Sequence, residues 1–125
     1  MLQPQSIVVI ADNTGAKIGR IFKVLGGSKR RYAQIGDEVV LSVQTAEPRK
    51  MLKKKDVVHA VIVRQTKPFK RKDGSTIRFD DNAVVIVEKK KTTYETKGNR
   101  VFGPMPRELA ELGFKKIVTL AQEVV

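Results

Sequence analysis

The chain has 125 residues, with 25 Lys and Arg against 13 Asp and Glu, a formal net charge of +12. That excess points to a polyanionic partner, and to nucleic acid rather than a membrane surface, because no basic amphipathic helix or lipid-anchor motif is visible. There is no cysteine, so disulfides, thiolate nucleophiles and cysteine-based metal sites are excluded, while 41% hydrophobic residues suffice for a modest core.

The length suggests one domain spanning 1–125, with a barrel core over 1–87, a ribbon near 65–79, a basic polar loop at 88–99 and a short helical region over 100–125. The apolar run Ile7-Val8-Val9-Ile10-Ala11 is far too short for a membrane-spanning helix. The first residues carry neither a signal-peptide nor a presequence pattern, so a cytoplasmic location is expected.

In chain order, residues 6–11 read as the first strand, and Asp12-Asn13-Thr14-Gly15 supplies turn-closing side chains and a glycine free to take positive φ. Strand character resumes at 18–25 and ends at Gly26-Gly27-Ser28. After the basic excursion Lys29-Arg30-Arg31-Tyr32, residues 38–44 form a strand whose Val39, Leu41 and Val43 share one face. Pro48 closes it, and a basic loop leads to Val57. Residues 57–64 are mainly apolar in both alternating sets, the mark of a central strand covered on both sides. Residues 65–78 are polar around Asp73-Gly74, which signals a two-residue hairpin turn and a projecting ribbon. Residues 83–87 form the last clear strand.

Residues 88–99 lack useful periodicity and read as loop. Pro106, Leu109, Leu112 and Gly113 then outline a short helix, and 115–121 is either strand or helix. About five short strands in so small a chain favour a mainly β fold, a small five-stranded barrel, since closure removes exposed edges; an open α+β sandwich is the alternative.

Fifteen of the 25 basic residues fall into four runs: Lys29, Arg30 and Arg31; Arg49, Lys50, Lys53, Lys54 and Lys55; Lys67, Lys70, Arg71 and Lys72; and Lys89, Lys90 and Lys91. A single run is often only a solvated surface, but four of them on loops and a ribbon tip describe a polyanion-binding surface. With Tyr32, Phe69 and Arg78, the first three runs are the expected RNA-contacting set. Tyr32 and Phe69 sit among bases where a ring could stack on an unpaired nucleotide, although either could equally pack locally. Aromatics are too sparse for a multi-base stacking sheet, so phosphate and shape contacts should dominate.

Catalysis finds little support. His59, the only histidine, lies among valines and reads as a core or interface residue. Asp80 and Asp81 are adjacent and better suited to accepting backbone N–H bonds than to holding a metal. Gly26-Gly27-Ser28-Lys29 lacks the spacing of a phosphate-binding loop. No catalytic residue, metal site, cofactor or small-molecule substrate is expected. A magnesium-dependent nuclease built on Asp73, Asp80 and Asp81 is the enzymatic alternative.

Ala60, Val61 and Val63, continuing through Asp73-Gly74, Phe79, Asn82 and Val85-Ile86 over roughly 27 positions, form a spaced pattern. Gln3-Pro4-Gln5, residues 11–16 and 26–32, Gly103-Pro104, Arg107-Glu108-Leu109 and Lys116-Ile117-Val118 extend it nearly end to end. In these residues the chain resembles the universal large-subunit ribosomal protein family numbered fourteen. The resemblance implies a five-stranded barrel with a protruding ribbon and short C-terminal helices. It also implies contacts with large-subunit rRNA, with ribosomal proteins three and nineteen, and with small-subunit rRNA at an intersubunit bridge, in a cytoplasmic or organellar ribosome. Arg100 and Lys116 fit the surface where the family's ribosome silencing factor docks. Residues 88–99 depart from the shorter link of bacterial relatives. A free-standing RNA-binding translation or processing factor is the alternative function.

Overall fold

A computed structural model describes residues 2–26, 32–48, 50, 52–90 and 93–125. Five strands make the barrel: β1 (Ile7–Ile10), β2 (Ala16–Val24), β3 (Glu38–Ala46), β4 (Val57–Arg64) and, after a two-stranded ribbon of β5 (Phe69–Lys70) and β6 (Thr76–Ile77), β7 (Ala83–Lys90). Neighbours run antiparallel in the order β1-β2-β3-β4-β7, and the sheet closes where β1 and β7 pair in parallel, Val9 opposite Ala83 and Ile10 opposite Val84. Alternation drives closure, because one face of every strand is apolar: Val8 and Ile10, Ile21 and Val24, Val39, Leu41 and Val43, Ala60 and Ile62, Val84 and Ile86 form a single buried cluster. Gly19 makes room for that packing, since a Cβ there would lie 2.7 Å from Leu41 Cδ1. Register shifts along β2 supply the bends that closure requires.

A second core lies outside the barrel. The outer faces of β4 and β7, at Val61, Val63, Val85 and Val87, are covered by Val101, Met105, Leu109, Phe114 and Ile117. The C-terminal segment that does this contains β9 (Pro104–Met105), α1 (Glu108–Glu111), α2 (Lys115–Leu120) and β10 (Glu123–Val124), with β10 running parallel to β9. The open alternative for 115–121 resolves as helix. The two-sided coverage expected of 57–64 holds at Val61 and Val63 only, for Val57 and His59 face solvent.

Much of the segment 88–99, read as a polar loop, is instead paired strand among the described residues: β7 runs on to Lys90, and β8 (Thr93–Thr96) lies antiparallel to it, Val87 opposite Thr96 and Lys90 opposite Thr93. The ribbon turn is also one residue longer than expected. Arg71 N–H bonds Ser75 O and Gly74 N–H bonds Arg71 O, with Gly74 at φ +91, a three-residue loop ending in a left-handed glycine.

One buried carboxylate ties the first turn to the barrel. Asp12 accepts the Thr14 hydroxyl at 2.6 Å, the Thr14 N–H at 3.2 Å and the Ile86 N–H at 3.0 Å. Burial raises its pKa above the ordinary 3.8, although these bonds pull the other way. A folded pKa above the unfolded one means that its contribution is complete below 3.8 and is lost as pH rises through the folded value. Asp12→Asn leaves at least one of the three donors without an acceptor and is expected to destabilise by about 1–3 kcal/mol. The deficit relative to wild type should be larger at acidic than at neutral pH, as read by urea unfolding at both. A deficit that grows toward neutrality would mean that the anion is the favoured buried form.

Candidate nucleic-acid interface

The acids and bases of this chain have separated by job. Asp12, Asp37, Asp56 and Asp73 each accept a backbone N–H at a turn, while Asp81 and Glu108 each face an arginine. The lysines of the loops are left outside. Between β3 and β4, Asp56 Oδ2 accepts the Lys53 N–H at 2.9 Å, and Lys55, at φ +74, donates its N–H to Val43 O at 2.7 Å. This tight turn leaves Lys53, Lys54 and Lys55 exposed, with no ion-pair partner among the described residues. Lys50 stands at the loop's other end, its side chain resting against Gly15.

Gly15 sits at φ +98, which only glycine adopts without strain, and a Cβ there would collide with Lys50 Cβ. Gly15 O also accepts the Glu47 N–H, and Thr14 O the Leu52 N–H. The turn that Asp12 fastens to β7 is thus the platform on which the basic loop stands.

The ribbon divides its candidates. Lys67, Lys70, Lys72 and Arg78 are exposed. Phe69 is half-buried and packs against the second core, opposite Ile77. Arg71 is turned inward: its Nε stands 2.6 Å from Glu108 Oε1, an ion pair rather than an aligned hydrogen bond, and its Nη2 donates to Val125 O at 2.7 Å. Arg107 reaches Asp73 from the other side at 3.1 Å. The ribbon tip is therefore braced on α1 rather than projecting unsupported. The Asp73 carboxyl lies below its ordinary value, chiefly through the Ser75 hydroxyl and Ser75 N–H.

Lys29, Arg30, Arg31 and Arg49 lie outside the described residues, as does Lys91. Tyr32 is exposed beside Ala33, whose backbone pairs with Leu2. Asn13 Oδ1 accepts the N–H groups of Asn99 and Arg100. A shallow depression there is lined by Asn13, Thr96, Lys97, Asn99, Lys116 and Leu120.

Three exposed bases on β2, Lys17, Arg20 and Lys23, were not anticipated, because isolated cations in a bulged strand form no run. His59 is not in the core: its ring is exposed and its Nδ1 lies 3.1 Å from Glu38 Oε1, on the uncovered stretch of β4. Asp81 is held by Arg64 at 2.8 Å. Among the described residues no three His, Asp or Glu side chains gather as a metal site, and no helix is long and apolar enough to cross a membrane.

The arrangement is that of a closed barrel that presents exposed lysines on the β3–β4 loop and the ribbon. The whole chain, residues 1–125, matches the family described as ribosomal protein L14p/L23e, so it belongs to that family and is a ribosomal protein of the large subunit, structural rather than catalytic.

Proposed function

We propose that the protein fixes large-subunit rRNA through the lysines of the β3–β4 loop and the exposed bases of the ribbon, and contributes to a bridge with small-subunit rRNA. The observation that carries this reading is the segregation of charge: Asp12, Asp37, Asp56 and Asp73 are engaged in turns and Asp81 and Glu108 in arginine pairs, while Lys53, Lys54 and Lys55 stand exposed on a turn held by Asp56. Such lysines contact phosphate without reading sequence. Ribosomal proteins three and nineteen are the proposed protein neighbours, the ribosome is a cytoplasmic or organellar one, and the Arg100 and Lys116 surface is offered to a silencing factor.

Replacing Lys53, Lys54 and Lys55 together with Ala should leave stability nearly unchanged, within about 0.5 kcal/mol per site. Affinity for rRNA should fall, and the slope of log affinity against log salt should become shallower by roughly 0.7 to 0.9 for each phosphate no longer neutralised. An unchanged slope would remove this loop from the interface. Sucrose-gradient sedimentation tests the free-standing-factor alternative, because a protein found off the large subunit while free subunits are plentiful would be one.

A further inference from the structure

Beside the basic loop lies a groove of about 390 Å³ whose walls include Lys17, Lys50 and Asn13 and whose apolar surface is Val9 and Phe102. Phe102 is 47% exposed and Val9 44%, and the two lie together in the same groove. The backbone that carries the ring is nevertheless fixed in place. The Phe102 N–H donates to Ala11 O at 2.8 Å, and its carbonyl accepts Nη1 of the buried Arg64 at 2.7 Å. On the wall opposite, Asn13 is tied to Asn99 by its side chain, and the root of the Lys50 side chain is seated on Gly15.

We infer that this groove is a site for one unpaired nucleotide, its base stacked on the Phe102 ring and its phosphate held by Lys17 and Lys50. The inference rests on the RNA-binding reading above and adds a site to it. The backbone behind the ring is already ordered before a base covers it, and stacking on an aromatic side chain is how proteins take bases splayed out of RNA. The groove's size, near the lower end of the roughly 300 to 1,000 Å³ of small-ligand pockets, admits a base and sugar but not a helix. Of its carboxylates, Glu47 is matched by Lys17 at 3.7 Å and Asp12 is turned into the fold, while Lys50 has no ion-pair partner among the described residues. A phosphate therefore meets in Lys50 a cation with no carboxylate partner among the described residues, beside a Lys17 shared with Glu47.

The test uses the full chain with purified large- and small-subunit rRNA, measuring affinity and single-nucleotide chemical reactivity. Wild type should protect at least one unpaired nucleotide. Phe102→Ala and Phe102→Leu should both expose that nucleotide and weaken binding by roughly 5- to 150-fold, whereas Phe102→Tyr should retain both. Lys17→Ala with Lys50→Ala should expose the same nucleotide and shallow the salt slope by about 0.7 to 0.9 per phosphate, which Phe102→Leu should not do. The site is refuted if Phe102→Ala leaves every protection in place, or if Leu restores what Ala loses, since an apolar contact with a protein would tolerate Leu. Those results leave the broader RNA-binding reading standing as long as the Lys53, Lys54 and Lys55 variant still changes the slope. Wild type that bound neither rRNA would overturn both.

Discussion

Replacing Arg64 with Met is expected to destabilise the protein by about 2–6 kcal/mol, from about 1–3 kcal/mol for each of two carbonyls that lose their donor. The side chain is buried, and its guanidinium makes four bonds: Nε to Asp81 at 2.8 Å, Nη2 to Asp81 at 3.3 Å, and Nη1 to the carbonyls of Phe102 at 2.7 Å and Pro104 at 3.2 Å. Methionine fills the space but leaves both carbonyls without a donor. Asp81 is 41% exposed and recovers water, so most of the loss comes from the carbonyls. Arg64→Lys should rescue little, because one ammonium cannot span a carboxylate and two carbonyls in the same plane. Urea unfolding measures the loss, and amide exchange should accelerate at residues 102–105 before the barrel. A cost below about 1 kcal/mol for Arg64→Met would show that the cluster is dispensable.

The second large effect concerns Gly15. Gly15→Ala forces a Cβ into a left-handed residue, about 1–2 kcal/mol, and drives it onto Lys50 Cβ, where overpacking adds about 1–3 kcal/mol. The contact is with the root of the lysine side chain, so rotation of its flexible end gives no relief. The backbone around Lys50 must move instead, and with it the bonds from Glu47 and Leu52 to the turn. The expected result is therefore double: lower stability, and weaker rRNA binding even at temperatures where the variant is fully folded. Gly15→Ala combined with Lys50→Gly should regain stability but not the hold on phosphate. If Lys50→Gly gave no rescue, backbone strain alone would account for the defect.

The barrel was legible because its strands carry strong local signals. Alternating Val and Ile separated by Asn, Asp, Gly and Pro mark β1 to β4 and β7 to within a few residues, and the spaced pattern from Ala60 to Ile86 carries the family resemblance. The second core was not legible. Met105, Leu109, Phe114 and Ile117 are scattered through turns and two short helices, and only the tertiary fold shows that they cover Val61, Val63, Val85 and Val87. The strand pairing within 88–99 escaped notice because its polar composition lacks the apolar alternation by which a strand is read. Arg71 was grouped with its neighbours in a basic run, yet its partner Glu108 is 37 residues away, and no local pattern distinguishes the arginine that turns inward from the lysines that do not. Phe102 stands next to the recognised Gly103-Pro104 pair, but its exposure was visible only in three dimensions.

The parallel seam between β1 and β7 also sets the order in which this molecule can form. Val9 cannot meet Ala83 until the intervening chain has been made and its ends brought together, a non-local closure whose entropic cost precedes its reward. The β2–β3 and β3–β4 hairpins can assemble early, but the bond from Asp12 to Ile86 waits for the seam. The fastening of the Gly15 turn to β7 is thus a late event. An immature chain would carry its positive charge before it carried its shape, attracted to RNA in general before it could seat on one place in particular.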